Sequence, residues 1–505
     1  MEIDSSKHLW FWRPNLIVFV SSACIMVLEL VAGRIIAPHV GVSLYTWTSV
    51  IGVILAGMSL GNYLGGRLAD RYASLWFLGS IFVLAGLTSL GILAGERLGV
   101  GGWVGGSLIL RILVLIAALF FLPAMVLGTI SPIVVKLSMH DLARAGRTVG
   151  QISAFSTAGS IVGTFATGFW LISWFGTHSV VWGVGLLLLL VGVFFLFVEE
   201  PSWFLGSALV VAALGLLLFQ LGWTRSDCLR ETNYFCIKVR EEEKDDVVFQ
   251  VLTLDRLVHS YTSVDQPTAL AYGYEKTYAE LVAYQARQEE PLRAFFIGGG
   301  GYTFPRYMEA RYPDSEIDVV EIDPGVTDVA YEKLGLARDT RVVTYNEDAR
   351  MFLRRPVTEP YDLIFGDAFN DFSVPYHLTT KEFNDRVHAW LDDDGLYVVN
   401  IIDGAYGRFL RAYTRTLRQT FERVYLVPRL DNWRDVSRDT FVIVASKEPV
   451  NLSAFARDSR FRSSVLAEDE VQDFLAEGRP VVLTDRYAPV EQMLAPVFLN
   501  KTPEE

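Results

Sequence analysis

Cysteine is scarce in this chain of 505 residues, which has only Cys24, Cys228 and Cys236. None of the three has the paired spacing of a zinc or iron–sulfur site, so we expect no metal in the functional site. Cys228 and Cys236 stand close together in the sequence, and a disulfide between them is one alternative that the spacing leaves open.

Positive charge is also in short supply. The 44 lysines and arginines are outnumbered by 57 acidic residues, and the formal net charge is −13. Nucleic-acid binding favours a basic surface, so we expect no nucleic-acid partner. An acidic surface mainly confers solubility, and it is also compatible with small cationic ligands.

A cleavable signal peptide is not expected at the N-terminus. The first apolar run is long, lacks a small-residue cleavage site and is followed by further apolar runs. These features are typical of a membrane protein whose first apolar run is itself a span.

Long hydrophobic runs dominate residues 1–222, which we predict to be a transmembrane helical domain. A helix needs about 20 apolar residues to cross a bilayer. Seven runs qualify, and an eighth span is left open because the fourth run is overlong and contains Pro123 and Pro132. The predicted spans lie near 15–37, 45–66, 75–95, 108–135, 149–173, 178–198 and 203–222.

Glycines at four-residue spacing mark two of these spans. Gly57, Gly61 and Gly65 recur in the second, and Gly159 and Gly163 in the fifth. Small residues at this spacing let helix backbones approach closely in lipid. We therefore predict tight helix packing along these faces.

Basic residues in the short loops predict a cytoplasmic N-terminus for this integral membrane protein. They cluster before the first span and after the second and fourth. Seven spans would place the second half outside the cytoplasm, where a disulfide is also expected to persist. An eighth span would instead place the second half in the cytoplasm, which is the side that we expect.

The composition changes after residue 222, where charged and mixed sequence begins. Residues 223–290 are predicted to form a β-hairpin subdomain followed by an entry helix, since short alternating runs precede a segment of helical periodicity. Residues 291–505 alternate between strand and helix patterns, which predicts an α/β Rossmann-like domain with a parallel sheet.

Glycines and acids follow the predicted strands in a regular order. "FFIGGGG" ends in Gly298, Gly299, Gly300 and Gly301, and the next strands are followed by Glu321 and Asp323, by Asp348, and by Asp367. Parallel sheets bind ligands at the carboxyl ends of their strands. A glycine turn followed by an acid on the next strand is typical of a nucleoside pocket, with the acid on the ribose hydroxyls.

With these residues in view, the second half resembles spermidine synthase and its relatives, the polyamine aminopropyltransferases, and above all their membrane-fused homologues. The motifs that carry the resemblance are "LTLDRLVHS", "YAEL", "FFIGGGG", "VVEIDP", "EDAR" and "YDLIFGDAF", in family order. It implies an enzyme that binds S-adenosylmethionine or its decarboxylated form as the donor. The family moves the aminopropyl group to an amine and releases 5′-methylthioadenosine.

The resemblance also implies roles for particular residues. Glu321 should hold the ribose, Asp348 the adenine amino group, and Asp367 with Tyr278 should be catalytic. The remaining expected donor-binding residues are Gly298, Gly299, Gly300, Gly301, Tyr302, Asp323 and Ala349. The expected substrate-binding residues are Asp255, His259, Asp371 and His377.

Two departures from the family pattern affect the expected reaction. The family's aspartate that grips the aminopropyl ammonium is replaced by Gly301, and the second acid after the fourth strand is shifted to Asp371. An aspartate would repel the carboxylate of intact S-adenosylmethionine by up to ~4 kcal/mol at about 4 Å and an effective dielectric near 20. A glycine is expected to make room for this carboxylate. We therefore slightly favour a lyase that cleaves intact S-adenosylmethionine intramolecularly.

Other functions stay open at this stage. The first alternative is an aminopropyltransferase that makes spermidine or a related polyamine from putrescine. A methyltransferase, and a transporter or sensor with a regulatory nucleoside domain, are further alternatives. The expected partners are a small-molecule substrate and the lipid bilayer, and a homo-oligomer is left open. The segment "TDRYAPVEQM" (484–493) recurs in the membrane-fused relatives and has no chemical role in this scheme.

Overall fold

The computed structural model divides the chain into two units, Met1–Asn233 and Tyr234–Glu505. The predicted boundary at residue 222 lies close to this division. The predicted further boundary at residue 290 stays a prediction. The structure describes residues 14–98, 108–139, 141–198, 201–220, 222, 226–286, 291–369, 374–430, 432–450 and 464–499.

The first unit is helical throughout most of its described length. π-helical turns at Ala117–Phe121 and Thr167–Leu171 interrupt two of its long apolar segments. Its α-helices are α1 (Pro14–Val40), α2 (Leu44–Tyr72), α3 (Leu75–Arg97), α4 (Leu108–Ile116), α5 (Leu122–Gly128), α6 (Ile130–Ser138), α7 (Ala145–Ala166), α8 (Ile172–Phe175), α9 (Thr177–Leu196) and α10 (Pro201–Gln220).

Six helical segments of the described residues are long and apolar enough to cross a membrane. The overlong fourth run is a single candidate span, Ile109–Ser138, broken by the π-turn before Pro123. The predicted seventh span coincides with α10, whose side chains are described only in part, so it stays a prediction. The six segments are Pro14–Val40, Leu44–Tyr72, Leu75–Arg97, Ile109–Ser138, Ala145–Phe175 and Thr177–Leu196.

The glycine faces pack as their spacing predicts. A Cβ added to Gly61 would stand 2.1 Å from the Met125 carbonyl oxygen, so α2 approaches α5 at backbone distance. A Cβ on Gly159 would lie equally close, 2.1 Å, to the Phe19 carbonyl oxygen of α1. Only glycine permits such contacts, which confirms tight packing along both faces.

Polar contacts fix the segment after α10 to the ends of the helices. The backbone N–H and hydroxyl of Thr177 donate to Glu231 Oε2 at 2.7 and 2.8 Å. Arg34 donates to the Thr232 carbonyl at 2.7 Å. Burial alone would raise the pKa of Glu231, but the nearby His178 ring, 3.7 Å away, and the hydrogen bonds from Thr177 lower it to about 2. Glu231 therefore carries a negative charge at neutral pH.

Cys228 and Cys236 are disulfide-bonded, whereas Cys24 is a free, buried cysteine. The alternative that the spacing left open is the one that the structure adopts.

The second unit begins with antiparallel strands and continues as an α/β domain. Strands β2, β3 and β4 pair antiparallel in sequence order. The first strand along the chain, β1 (Arg230–Glu231), belongs to the first unit. The elements of the second unit are β2 (Cys236–Lys244), β3 (Val247–Leu254), β4 (Leu257–Thr262), α11 (Gly273–Gln285), β5 (Arg293–Ile297), α12 (Thr303–Arg311), β6 (Glu316–Val320), α13 (Pro324–Lys333), β7 (Val343–Tyr345), α14 (Ala349–Phe352), β8 (Tyr361–Gly366), α15 (Lys381–Trp390), β9 (Leu391–Asp403), α16 (Arg408–Leu417), β10 (Arg423–Pro428), β11 (Asp439–Ser446), α17 (Glu468–Ala476) and α18 (Val490–Leu499).

A seven-stranded mixed sheet forms the centre of this unit, in the order β10-β11-β9-β8-β5-β6-β7. The five strands from β9 to β7 are parallel, as the strand–helix alternation predicts. Strands β10 and β11 extend the sheet antiparallel on the β9 side. Apolar clusters that include Phe295 and Phe296, neighbours on β5, contribute to the core.

Candidate active site

Register places the ends of the parallel strands in one line. Ile297 pairs with Val320 on one side and with Gly366 on the other, and Gly366 also pairs with Val399. The residues that follow these positions therefore meet at one edge of the sheet: Gly298, Glu321, Asp367 and Asn400.

The glycine turn and Glu321 form one hydrogen-bonded unit. Glu321 Oε2 accepts the N–H groups of Gly299 and Gly300 at 2.8 and 3.1 Å, and Oε1 accepts that of Asp323 at 3.0 Å. Burial raises the pKa of Glu321, while these three N–H donors lower it. The carboxylate thus shapes the turn after β5, and the ribose contact expected for it stays a prediction.

Each glycine of the turn has different surroundings. A Cβ on Gly298, which has φ +99°, would meet the Asp367 carbonyl oxygen at 2.6 Å, so the ends of β5 and β8 touch here. Gly300 has φ +48°, and a Cβ added to it would have no heavy atom within 4 Å. The space beside the Gly300 backbone is therefore open, and the contact with a donor expected there stays a prediction.

Gly301 does not provide the space expected for a donor carboxylate. A Cβ here would lie 1.9 Å from Ser260 Oγ and 2.7 Å from Thr262 Oγ1, so two hydroxyl side chains of β4 fill the space. The expectation that this glycine leaves room beside it is therefore wrong. That expectation was one of the reasons for favouring the lyase, together with the shift of the second acid to Asp371.

Two of the expected donor-binding residues have structural roles in the fold. Tyr302 is fully buried, and its hydroxyl contacts the Thr327 and Thr344 hydroxyls at 3.0 and 3.2 Å. Asp323 is buried as well and caps α13, since its Oδ1 accepts the Gly325 N–H at 2.9 Å. Contact of either side chain with a donor stays a prediction.

Asp348 lies beside His377 at the end of β7. One carboxylate oxygen caps α14 by accepting the Met351 N–H at 3.0 Å, and the other is 3.0 Å from His377 Nε2. Ala349 follows as a buried first residue of α14. His377, expected at the amine substrate, therefore lies at the end of the site expected to hold adenine.

Asp367 sits among polar groups in a largely apolar setting. Asn400 Nδ2 donates to its Oδ1 at 3.0 Å, and the Tyr274 hydroxyl also hydrogen-bonds to the carboxylate. Burial raises the pKa of Asp367 to about 6, although these two donors oppose the shift. A carboxylate with such a pKa can exchange a proton near neutral pH.

Tyr278 packs against the same strand end. Its ring lies 4.9 Å from that of Phe365, the second residue before Asp367, and 5.4 Å from that of Tyr274. Its buried hydroxyl interacts with the Asn400 backbone, whereas Asn400 Oδ1 has no hydrogen-bond partner within the described part of the chain. Buried polar atoms left in this state are typical of a surface that a ligand completes.

Two of the other predicted substrate residues lie on the hairpin formed by β3 and β4. Asp255 occupies the β3–β4 turn with φ +51°, and its Oδ1 accepts the Cys236 N–H at 2.8 Å. His259 lies on β4 near Phe235, and burial lowers its pKa to about 4, so it is neutral at pH 7. Contact of Asp255 or His259 with a substrate stays a prediction, and Asp371 lies outside the described residues.

Sequence reasoning missed three residues around Asp367: Asn400, Tyr274 and Glu275. Asn400 is a polar residue within the apolar run "LYVVNII", which is itself a signal. Tyr274 and Glu275 precede Tyr278 by four and three residues, so helical spacing places all three on one face of α11. Burial raises the pKa of Glu275 to about 8, so this second carboxyl is mostly neutral at pH 7.

Within the described residues, no group of three or more histidine, cysteine or acidic side chains is arranged to hold a metal ion.

Two polyamine aminopropyltransferases are similar to parts of this chain. It is 38% identical over 115 residues to a polyamine aminopropyltransferase of Vibrio vulnificus, which is 22% of this chain and 38% of that protein. It is 27% identical over 278 residues to a polyamine aminopropyltransferase of Corynebacterium efficiens, which is 52% of this chain and 53% of that protein.

Over part of its length, the chain is similar to polyamine aminopropyltransferases. The matches span about a third to a half of these relatives' own lengths. A mouse eEF1A lysine and N-terminal methyltransferase is also similar, with 27% identity over 123 residues, 23% of this chain and 18% of that protein. No protein-family model matches the chain.

A solved structure of a probable spermidine synthase from Corynebacterium glutamicum aligns with a TM-score of 0.44 and 23% identity. The alignment covers 50% of this chain and 95% of the chain in that structure.

Proposed function

We propose that this chain is a membrane-anchored aminopropyltransferase. It would take the aminopropyl group of decarboxylated S-adenosylmethionine, transfer it to a small primary amine such as putrescine, and release 5′-methylthioadenosine. The observation that carries the proposal is the position of Asp367 next to the glycine turn, beside Tyr278 and beside Asn400, whose Oδ1 has no hydrogen-bond partner among the described residues.

The chemistry needs few groups. The amine nitrogen uses its lone pair to attack the methylene carbon next to sulfur, the C–S bond breaks, and its electron pair neutralises the sulfonium. Asp367 would hold the amine and accept the proton that the new ammonium loses. Tyr278 and Asn400 would orient the amine, and the aromatic surroundings exclude water.

Charge favours the decarboxylated donor over intact S-adenosylmethionine. Among the described residues, the side chains that interact with Asp367 include Tyr272, Tyr274, Glu275, Tyr278 and Asn400, and none of these five carries a positive charge that could bind a donor carboxylate. Both substrates of aminopropyl transfer are cations, which suits an acidic site. The relatives named as aminopropyltransferases and the filled space at Gly301 support this alternative over the lyase.

Product analysis tests the proposal. Purified full-length protein is incubated with intact or decarboxylated donor, with and without putrescine, and the products are identified by mass spectrometry. We expect spermidine and methylthioadenosine only from the decarboxylated donor with putrescine, and strongly reduced turnover in Asp367→Asn. Methylthioadenosine from intact donor without an amine would instead identify a lyase.

The same experiment separates the remaining alternatives. S-adenosylhomocysteine would indicate a methyltransferase, the activity named for the mouse relative. A transporter or sensor would form no product, and an Asp367→Asn variant would then keep full function in cells.

We propose further that the six apolar helices and α10 are membrane spans, with residues after Gln220 on the side opposite the N-terminus. An odd number of spans and the Cys228–Cys236 disulfide support a location outside the cytoplasm, in place of the cytoplasmic one expected from the donor. A membrane-impermeant reductant followed by an impermeant maleimide should label both cysteines in intact cells. Labelling only after lysis would place them in the cytoplasm.

A further inference from the structure

Arg350 and Asp485 form an ion pair between distant parts of the second unit. Arg350 lies on α14, two residues after Asp348, and Asp485 belongs to the segment "TDRYAPVEQM". Arg350 Nη2 is 2.5 Å from Asp485 Oδ2, and the Arg350 side chain is only 12% exposed. This hydrogen bond from Arg350 is the main cause that holds the pKa of Asp485 below its usual range.

Arg350 also hydrogen-bonds to the segment that contains His377. Its Nη1 donates to the His377 carbonyl oxygen at 2.9 Å and to Thr380 Oγ1 at 3.4 Å. Thr380 Oγ1 in turn donates to Asp485 Oδ1 at 2.8 Å. Asp485 thus binds both the arginine and the threonine, and His377 Nε2 faces Asp348 at 3.0 Å. We call Asp348, Arg350, His377, Thr380 and Asp485 the polar clamp.

Asp485 is itself held in place by the backbone around it. Thr484 and Tyr487 exchange backbone hydrogen bonds at 3.0 and 2.9 Å, which forms a tight turn around it. The Asp485 N–H donates to Glu382 Oε2 at 3.0 Å, and the preceding Leu483 carbonyl accepts the Lys381 N–H at 2.9 Å. The turn therefore presents the Asp485 carboxylate to Arg350 in a defined orientation.

We propose that Arg350 and Asp485 are positioning residues for the nucleobase end of the donor site. Arg350, fixed by Asp485, keeps the His377 segment against Asp348, and His377 orients the Asp348 carboxylate before the nucleoside arrives. The inference rests on the nucleoside site of the proposed function. It gives "TDRYAPVEQM" a role, since this segment supplies the acid that completes the clamp.

Two physical effects connect Asp485 to nucleoside affinity. Burying the charged Arg350 side chain costs free energy when its hydrogen-bond acceptors are all neutral. If Asp485 loses its charge, we therefore expect the Arg350 side chain to move toward solvent. His377 then loses the contact that holds its segment, and Asp348 must be ordered at the expense of binding free energy. Affinity for adenosine-type ligands should fall while the distant Asp367 end keeps its geometry.

Calorimetry of the full-length protein in detergent, titrated with methylthioadenosine, tests this inference. We expect the Kd to rise about tenfold in Asp485→Asn, as when a positioning contact is lost. Asp485→Glu keeps the carboxylate and should recover most of the affinity. Glu477→Gln is the matched control, because Glu477 forms similarly exposed ion pairs with Arg411 and Arg434, neither of which belongs to the clamp.

The results distinguish a positioning role of Asp485 from a general effect of Asp485→Asn on the stability of the protein. Positioning predicts a melting temperature like that of Glu477→Gln, a raised KM for the nucleoside donor and an unchanged KM for the amine. Wild-type affinity in Asp485→Asn, or equal loss for donor and amine with a lowered melting temperature, would overturn the inference. So would a wild-type chain that does not bind methylthioadenosine.

Measurements of methylthioadenosine binding and of aminopropyl transfer test the inference and the proposed function separately. A protein that binds methylthioadenosine in an Asp485-dependent way but transfers no aminopropyl group would retain this inference and refute the proposed function.

Discussion

At the scale of single residues, the glycine turn shows that neighbouring glycines serve different purposes. Gly298 allows two strand ends to touch, Gly300 leaves open space, and Gly301 is packed against two hydroxyls. Residue type alone does not distinguish these three roles. The surroundings of each Cβ position do.

The first prediction contrasts Gly300 with Gly301. Asn tolerates a positive φ, so Gly300→Asn should fold nearly normally but project a side chain into the ligand space and abolish methylthioadenosine binding. Gly301→Ala should instead destabilise the protein by about 1–3 kcal/mol, because its Cβ overlaps Ser260. Thermal unfolding and calorimetry on both variants measure the two effects. Equal stability of the two variants would contradict the packing at Gly301.

The second prediction concerns Asp367 and pH. Its raised pKa of about 6 means that kcat/KM for aminopropyl transfer should fall below that pH, where the carboxylate becomes protonated. The Tyr274 hydrogen bond stabilises the charged form, so Tyr274→Phe should raise the pKa and move the acid limb of the profile to higher pH.

Tyr413→Phe serves as the control for the pH profile, since the Tyr413 hydroxyl contacts Tyr397 and Asn384. Its acid limb should match that of the wild type. If the acid limb of the kcat/KM profile stayed at the same pH in Tyr274→Phe, Asp367 would be excluded as the titrating group. In Asp367→Asn we expect kcat to fall about 10²–10³-fold, the usual effect of losing a general base.

At the scale of elements, helix packing in the first unit depends on glycine faces, and site geometry in the second depends on strand register. Both are consequences of backbone approach. In the helices, small residues remove the side-chain layer. In the sheet, the parallel ladder aligns strand ends at one edge.

The third prediction tests one glycine face with a neighbouring glycine as control. Gly61→Ala would force a methyl group within 2.1 Å of the Met125 carbonyl oxygen, so we expect a lower melting temperature in detergent. Gly66, on the same helix α2, has no heavy atom within 4 Å of its Cβ position, and Gly66→Ala should be neutral or mildly stabilising. Equal effects at both positions would exclude close α2–α5 packing.

At the scale of the whole molecule, the net charge affects which ligands are attracted to the proposed site. The net charge of −13 and the carboxyls at the strand ends create a negative potential around a site proposed for cations. Such attraction acts on the amine and the sulfonium donor, and leaves a neutral ligand unaffected.

The fourth prediction follows from this charge. Raising the ionic strength from low salt to about 0.15 M shortens the Debye length to about 8 Å, so the KM for putrescine should increase several-fold. The Kd for uncharged methylthioadenosine should stay constant in the same buffers, which makes it the internal control. A salt-independent KM would show that the surface charge plays no part in recruiting the amine.

The sequence by itself determined the helical unit, the α/β order of the second unit and the strand ends that carry Glu321, Asp348 and Asp367. Those features depend on short-range periodicity and on the rule that parallel strands end at one edge. Only the tertiary structure decided that Ser260 fills the space at Gly301, that Asn400 stands beside Asp367, and that Asp485 reaches Arg350. These contacts join segments far apart in the chain, and their distances depend on register and side-chain packing, which local sequence patterns do not encode.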